Sequence, residues 1–342
     1  MLTEAFPRLA VRLRAIFPDA IINLEDSASR LAVGFANFPR WRVEVSSVPL
    51  NSQFQILESA IYLRYDCLQN ISQEDLTRLI AGENLGLRGA TLTLDPQRGD
   101  RTIKIRSSFI AQKGRTVDEA ENLAIDTLSL LRFARLFDDR INQCSGCSDF
   151  SYESYYSQYL SKSLGRSRYI NYARGIFVGS MERVFGQVAT MLKDEYKYKV
   201  SINRAFVATL TQPNDESEII LRIPEEIPIL TCSTNLYRTT WPVDKVFELA
   251  TRLNQKVSFG HFEVNVDGSL ISYVSWKHLT NDLRFYSLDK MILSVNEARL
   301  ILFNEVPAWL PEKRTQAEKD YFKERASSLD SYHPASSGRQ AA

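Results

Sequence analysis

The sequence is short of the features by which sites are usually recognised. No GxxxxGK, GxSxG or HExxH occurs in its 342 residues, and the 14 glycines are dispersed. That leaves no phosphate-cradling loop, no serine nucleophile elbow and no helix-borne zinc pair. Cysteines number four (Cys67, Cys144, Cys147, Cys232), too few for a disulfide scaffold in so long a chain. Cys144 and Cys147 form a lone CxxC that follows a long helical pattern. The three histidines (His261, His278, His333) are scattered, so no second pair completes a zinc set, and the CxxC reads as linker cysteines. No metal or other cofactor is expected. No apolar run reaches the ~18–20 residues that span a bilayer. Glu4, Arg8, Arg12 and Arg14 interrupt the first apolar positions, so no secretory leader is read and a cytoplasmic chain is expected. Lys and Arg total 42 against 41 acids, a balance that argues against bulk attachment to nucleic acid or an anionic membrane. Asp138-Asp139 and Glu225-Glu226 are adjacent carboxylates at a helix end or before a proline, where they are read as solvated. No catalytic residue is nominated, and the chain is not expected to be an enzyme.

What the chain does contain is regular patterning. Leu2, Phe6, Leu9, Leu13 and Ile16 mark one face of an opening helix. Two short apolar runs at 20–35, the alternating WRVEV and the β-rich FQILESAIYLRYDCL follow. Ser72 opens a helix with Leu76, Leu79 and Ile80 as its buried stripe, and Asp75 three residues on resembles a capping box. A hairpin at 89–110 precedes a long helix over about 116–141, whose wide apolar face suits more than one packing surface. A helix over roughly 170–198, strands at AFVATLT, EIILRI and ILTCSTNLY, a helix opened by Pro242, a hairpin and a last helix repeat that order.

The chain therefore reads as one domain twice. The expected fold is α+β: two tandem α-β-β-β-α-β-β-α domains, each an antiparallel sheet with helices packed on one face. The expected bounds are 1–141 and 170–310, with a Ser/Tyr-rich linker at 142–169 and a polar, partly disordered tail at 311–342. Leu79-Ile80 answers to Leu249-Ala250, Leu92 to Val264, Leu94-Asp95 to Val266-Asp267, and Ile103 and Ile105 to Ile271 and Tyr273. A linker of that length spans roughly 25–30 Å, so the two domains can pair with each other.

The hairpin before the last helix, FEVNVDGSLISYVSW (262–276), and its diverged copy ATLTLDPQRGDRTIKI (90–105) carry a family resemblance. With the α-β-β-β-α-β-β-α order, the chain resembles type III secretion chaperone-like domains, including the bacterial YbjN-like proteins. The motifs describe a fold and not a chemical site. The resemblance implies a non-enzymatic module that binds a protein partner or client as chaperone, adaptor or regulator, and whose single-domain members pair as dimers. The duplication then lets two copies on one chain pair with each other instead.

A sheet covered by helices on one face leaves the other open. If Ile271 and Tyr273 point into the core, then Leu270, Ser272, Val274 and Trp276 point away from it. The first copy places Thr102, Lys104, Arg106 and Ser108 there. Leu270, Val274 and Trp276 are accordingly the candidate partner-binding residues, facing a client or the other half of the chain. The opposite phase would put Trp276 in the core. The alternative function is a nucleic-acid-binding regulator. It rests on KDEYKYKV (193–200) and the arginines at 166 and 168, whose interleaved Tyr and Lys suit a single strand. Lys193, Lys197 and Lys199 are equally explained as compensating a helix C-terminus.

Overall fold

The computed structural model describes residues 5–16, 18–25, 30–35, 41–49, 54–112, 116–145, 150–163, 168–169, 180–194, 197–212, 215–224, 228–279 and 286–309. The fold is α+β in two halves. The first half comprises α1 (Ala5–Ile16), β1 (Ala20–Glu25), β2 (Arg30–Phe35), β3 (Arg42–Pro49), β4 (Phe54–Leu63), α2 (Gln73–Asn84), β5 (Leu87–Arg88), β6 (Thr91–Leu94), β7 (Ile103–Gln112) and α3 (Thr116–Cys144). After it come the short helices α4 (Tyr152–Tyr155) and α5 (Ser161–Ser163), separated by a π-helical turn, and then β8 (Arg168–Tyr169). The second half comprises α6 (Met181–Asp194), β9 (Lys199–Arg204), β10 (Val207–Gln212), β11 (Asp215–Arg222), β12 (Ile229–Arg238), α7 (Val243–Lys256), β13 (His261–Val264), β14 (Leu270–His278) and α8 (Tyr286–Trp309).

Each half builds a six-stranded antiparallel sheet, and the two share one topology. The order is β1-β2-β3-β4-β7-β6 in the first and, read in the same sense, β9-β10-β11-β12-β14-β13 in the second. Four strands, not three, precede the middle helix of each half. In the first, both apolar runs at 20–35 are strands, paired from Ala20↔Phe35 to Glu25↔Arg30. In the second, KVSINR, which lies between the expected helix and the first expected strand and is assigned to neither, is a strand. It ends its sheet with most side chains exposed, so it carries little of the apolar alternation on which strand recognition depends.

One side-chain device marks the duplication. Asn84, at the end of α2, donates through Nδ2 to the Leu92 carbonyl and accepts through Oδ1 from the Leu92 amide, both at 2.8 Å. Asn254 in α7 brackets Phe262 in the same way, at 3.0 and 2.6 Å. Leu92 therefore answers to Phe262 and not to Val264. The sequence match is off by two residues there because the first hairpin is two residues longer between its paired positions, Leu92↔Ile105 against Phe262↔Tyr273.

Each sheet has its own core. Leu31, Val45, Ile61, Leu79, Ile105 and Phe137 belong to the first, and Leu210, Leu221, Leu249, Ile271, Tyr273 and Val295 to the second. Ser72 caps α2, accepting from the Asp75 amide at 3.0 Å and donating to its carboxylate at 2.9 Å. The expected linker is packed onto the first half: Phe150, Tyr155 and Leu160 join its core, and Tyr155 donates to Glu83 at 2.6 Å. The halves contact each other reciprocally, α2 against α7, β6 against α7 and β13 against α2.

Candidate functional site

The hairpin β13–β14 sits where the halves meet. Ile271 and Tyr273 point into the second core. Val274 (1% exposed) and Trp276 (3%) lie outside that core cluster and are nonetheless buried, whereas Leu270 is half-buried. Strand alternation puts Val274, Trp276 and His278 on one face of β14, and the cross-strand pairing His261↔Val274 adds His261 to it. The His261 and Trp276 rings are 5.3 Å apart. Groups of the first half meet this face. The Thr91 hydroxyl is 3.2 Å from His261 Nδ1, the Gly86 amide donates to Glu263 at 3.2 Å, and His278 lies 3.0 Å from Asp126.

A buried polar series crosses the junction: Arg88 to Glu263, Glu263 to His261 Nε2 at 2.9 Å, and His261 Nδ1 to Thr91. A neutral imidazole satisfies both ends, with Nε2–H donating to Glu263 and Nδ1 accepting from Thr91. Hydroxyl, imidazole and carboxylate in a row are also the groups of a nucleophilic triad. Thr91 and His261 are, however, both buried, 1% and 0% exposed. Here the series ties β6 to β13.

Acid should loosen this junction. Burial alone would raise the Glu263 carboxyl, but the Arg88 charge and the His261 hydrogen bond outweigh it and hold it at about 2, below the ordinary 4.5. Burial also dominates at His261, pushing it below 6.5 against the pull of Glu263. In both cases the unfolded chain binds the proton more readily than the folded one, so stability is complete above the unfolded values and is lost as pH falls. The Glu263 share, about 3 kcal/mol, should disappear between its ordinary value and about 2. Urea melts from pH 7 down to pH ~2.5 should show a falling unfolding free energy. Glu263→Gln should flatten the lower part of that slope, and an unchanged slope would refute the assignment.

On the first sheet's open face, a cleft of about 590 Å³ runs between β4, β7 and the C-terminal end of α7. Its charges are largely committed to one another. Lys104 pairs with Glu58 at 2.6 Å, and Arg98 grips Glu44 with both nitrogens at 2.6 and 3.0 Å while lying 3.6 Å above the Tyr62 ring. Burial pushes the Tyr62 hydroxyl up to about 12, so it keeps its proton. Arg106 reaches across to three carbonyls at the end of α7, Ser258 at 3.1 Å, Asn254 at 3.3 Å and Val257 at 2.6 Å. The arrangement can hold a polar group. Among the described residues no group of three or more His, Cys, Asp or Glu is placed to hold a metal.

The other nominated residues are dispersed. Cys144 is buried, and burial raises its thiol. Cys147, Glu225, Glu226 and Arg166 lie outside the described residues. Asp138 is half-buried and Asp139 exposed. Lys197 donates to the Asp194 carbonyl at the end of α6 at 2.6 Å, which is the helix-terminus role. The sequence comparison passed over Arg88, Thr91, His261, Glu263 and Asn254. The available signals were the ionisable groups inside the apolar strand HFEV, and an Asn eight residues before an apolar edge-strand residue in both copies.

No family model matches the chain, and no curated protein matches it. Among solved structures, the di-domain ARO/CYC BexL aligns over 96% of this chain and 91% of its own at 12% identity, with a TM-score of 0.14. The meganuclease I-SmaMI bound to uncleaveable DNA aligns over 97% and 99% at 9% identity, with a TM-score of 0.12. Scores so low describe different backbones, and neither likeness bears on function.

Proposed function

We propose that this chain is a non-enzymatic protein-binding module of the chaperone or adaptor kind, and that it takes an extended segment of its partner along β9. The reciprocal packing of α2, β6, α7 and β13 serves in place of the subunit pairing that the secretion chaperone-like resemblance implies. That packing uses up the face bearing Val274 and Trp276, and among the described residues no further strand pairs with the outer edges β1 and β9.

One observation carries the reading. β9 ends its sheet, and Ile202 is 60% exposed although its cross-strand neighbour Ala208 is fully buried in the core. The apolar face of the sheet thus extends past its cover, beside a row of outward backbone amides and carbonyls. An added strand would pair with those groups and cover Ile202. Lys199 and Arg204, exposed at either end of β9, disfavour pairing between two such edges.

A photo-crosslinking residue placed at position 202 in the native cell should yield protein adducts that are absent from the exposed control position 183. Ile202→Asp, with the crosslinker moved to position 204, should reduce capture by about tenfold or more. Stability should stay within about 0.5 kcal/mol, because the side chain is already exposed. Adducts to nucleic acid would instead favour the regulator reading, for which Lys197, Lys199 and Arg204 supply cations on the same edge. Equal protein yields from 202 and 183 would overturn the proposal.

A further inference from the structure

A second cavity, of about 480 Å³, opens in the first half at the C-terminal end of β4 and shares Tyr62 with the first cleft. Its size is ordinary for a small-molecule site. Three aromatic side chains line it: Trp41, just before β3, Tyr62 in β4, and Tyr65 just beyond. Tyr65 is buried in the first core, Trp41 is half-buried against it, and Tyr62 is half-buried. Tyr62 already receives one guanidinium, that of Arg98, on its face.

The polar lining has the opposite sign to such a guest. Asp66 and Asp138 are the carboxylates. Asp138, Asn142 and Ser145 also line the cavity, at spacings of four and three, which is one face of the α3 end. α3 is 29 residues long and carries no basic residue in its last turn. Its terminal carbonyls therefore add negative potential here with no cation in the helix's own last turn to offset it. Among the described residues that line it, Arg64 is the only cation. Its guanidinium is turned to the loop after β6, donating to Thr102 Oγ1 at 3.0 Å and to the Arg98 carbonyl.

We propose that this cavity binds an alkylammonium group. Aromatic faces attract an ammonium through their quadrupole and shield its alkyl portion from water, and the carboxylates and the helix end supply the charge. A compact metal ion would gain little from the rings, and an anion would be repelled. The ammonium can belong to a free small amine or to a lysine side chain presented by another protein. The chemistry is the same for both, and it is independent of what pairs with β9.

The full-length chain should be titrated by calorimetry and tryptophan fluorescence with three probes. These are choline, a Gly-Lys-Gly peptide blocked at both ends, and 3,3-dimethylbutan-1-ol, the neutral isostere of choline. At least one ammonium probe should saturate, and the neutral isostere should bind about tenfold more weakly or not at all. Choline alone binding would identify a free amine as the guest. Peptide binding would identify a protein lysine. Asp138→Asn, which keeps the side-chain shape, should weaken binding by about fivefold or more, and Trp41→Phe should remove most of the fluorescence change. Circular dichroism and the thermal midpoint of each variant check that it is folded. Failure of both ammonium probes to saturate, equal binding of the neutral isostere, or wild-type affinity in a folded Asp138→Asn protein would each overturn the proposal.

Discussion

Arg106→Ala should destabilise the chain by about 3–5 kcal/mol, far more than a surface arginine would. The guanidinium is only 4% exposed. It donates to the carbonyls of Asn254, Val257 and Ser258, groups at the end of α7 that have no acceptor role left within the helix, and it lies 3.5 Å from Glu58. An arginine of one half thus caps a helix of the other. Truncation takes a donor from the buried Asn254 and Val257 carbonyls and from one side of Glu58, while the Ser258 carbonyl keeps the Ser108 hydroxyl, and the desolvation already incurred is not recovered. Lysine should restore only part of the loss, because a single ammonium cannot span three carbonyls as a planar fork does. The consequence should be a loss of coupling as well as of stability. Each half has its own core, so urea unfolding followed by tryptophan fluorescence and by circular dichroism should separate into two transitions in Arg106→Ala. A variant that unfolds in one step within about 1 kcal/mol of the parent would show that the contact is incidental.

The same residue shows where sequence reading stopped. Arg106 was legible as a charged position on the face of β7 away from the core, because strand alternation sets the phase. Its destination was not, because period-two alternation says which side a residue faces and nothing about what lies there. The duplicated plan was legible in the hydrophobic phase of α2 and α7 and of the two hairpins. The count of strands was not. β9 is an exposed edge whose Val200 and Ile202 stand among Lys, Ser, Asn and Arg, so it lacks the buried alternation of its neighbours. The tyrosine-rich stretch after α3 looked like a linker because its composition is polar. Tyr155 buries its ring in the first core and hands its hydroxyl to Glu83, itself fully buried and paired with Arg140 at 3.1 Å. That arrangement depends on Glu83, 72 residues upstream, which no local pattern displays.

Trp276→Ala is expected to cost about 3–5 kcal/mol and to lower the thermal midpoint by roughly 5–15 °C. As a solvent-facing contact for a client, Trp276 would change the midpoint by no more than a few degrees when truncated. As a residue of the second core, it would destabilise that half alone. The structure places it in neither situation. It is 3% exposed, it packs on His261, and it shares its face with His278, which lies 3.0 Å from Asp126 of the first half. The cavity left by alanine would open at the junction, next to groups that tolerate water poorly while unpaired. The loss should therefore appear in both halves. Amide exchange should quicken in β6 and α2 as well as in β13 and β14, while the amides of β2 and β11, remote from the junction, keep their protection. Trp276→Phe should retain most of the stability, since a ring still fills the space against His261. Exchange that quickens only within β12–β14 would mean that Trp276 supports its own half, and a midpoint within about 2 °C of the parent would mean that it faces solvent.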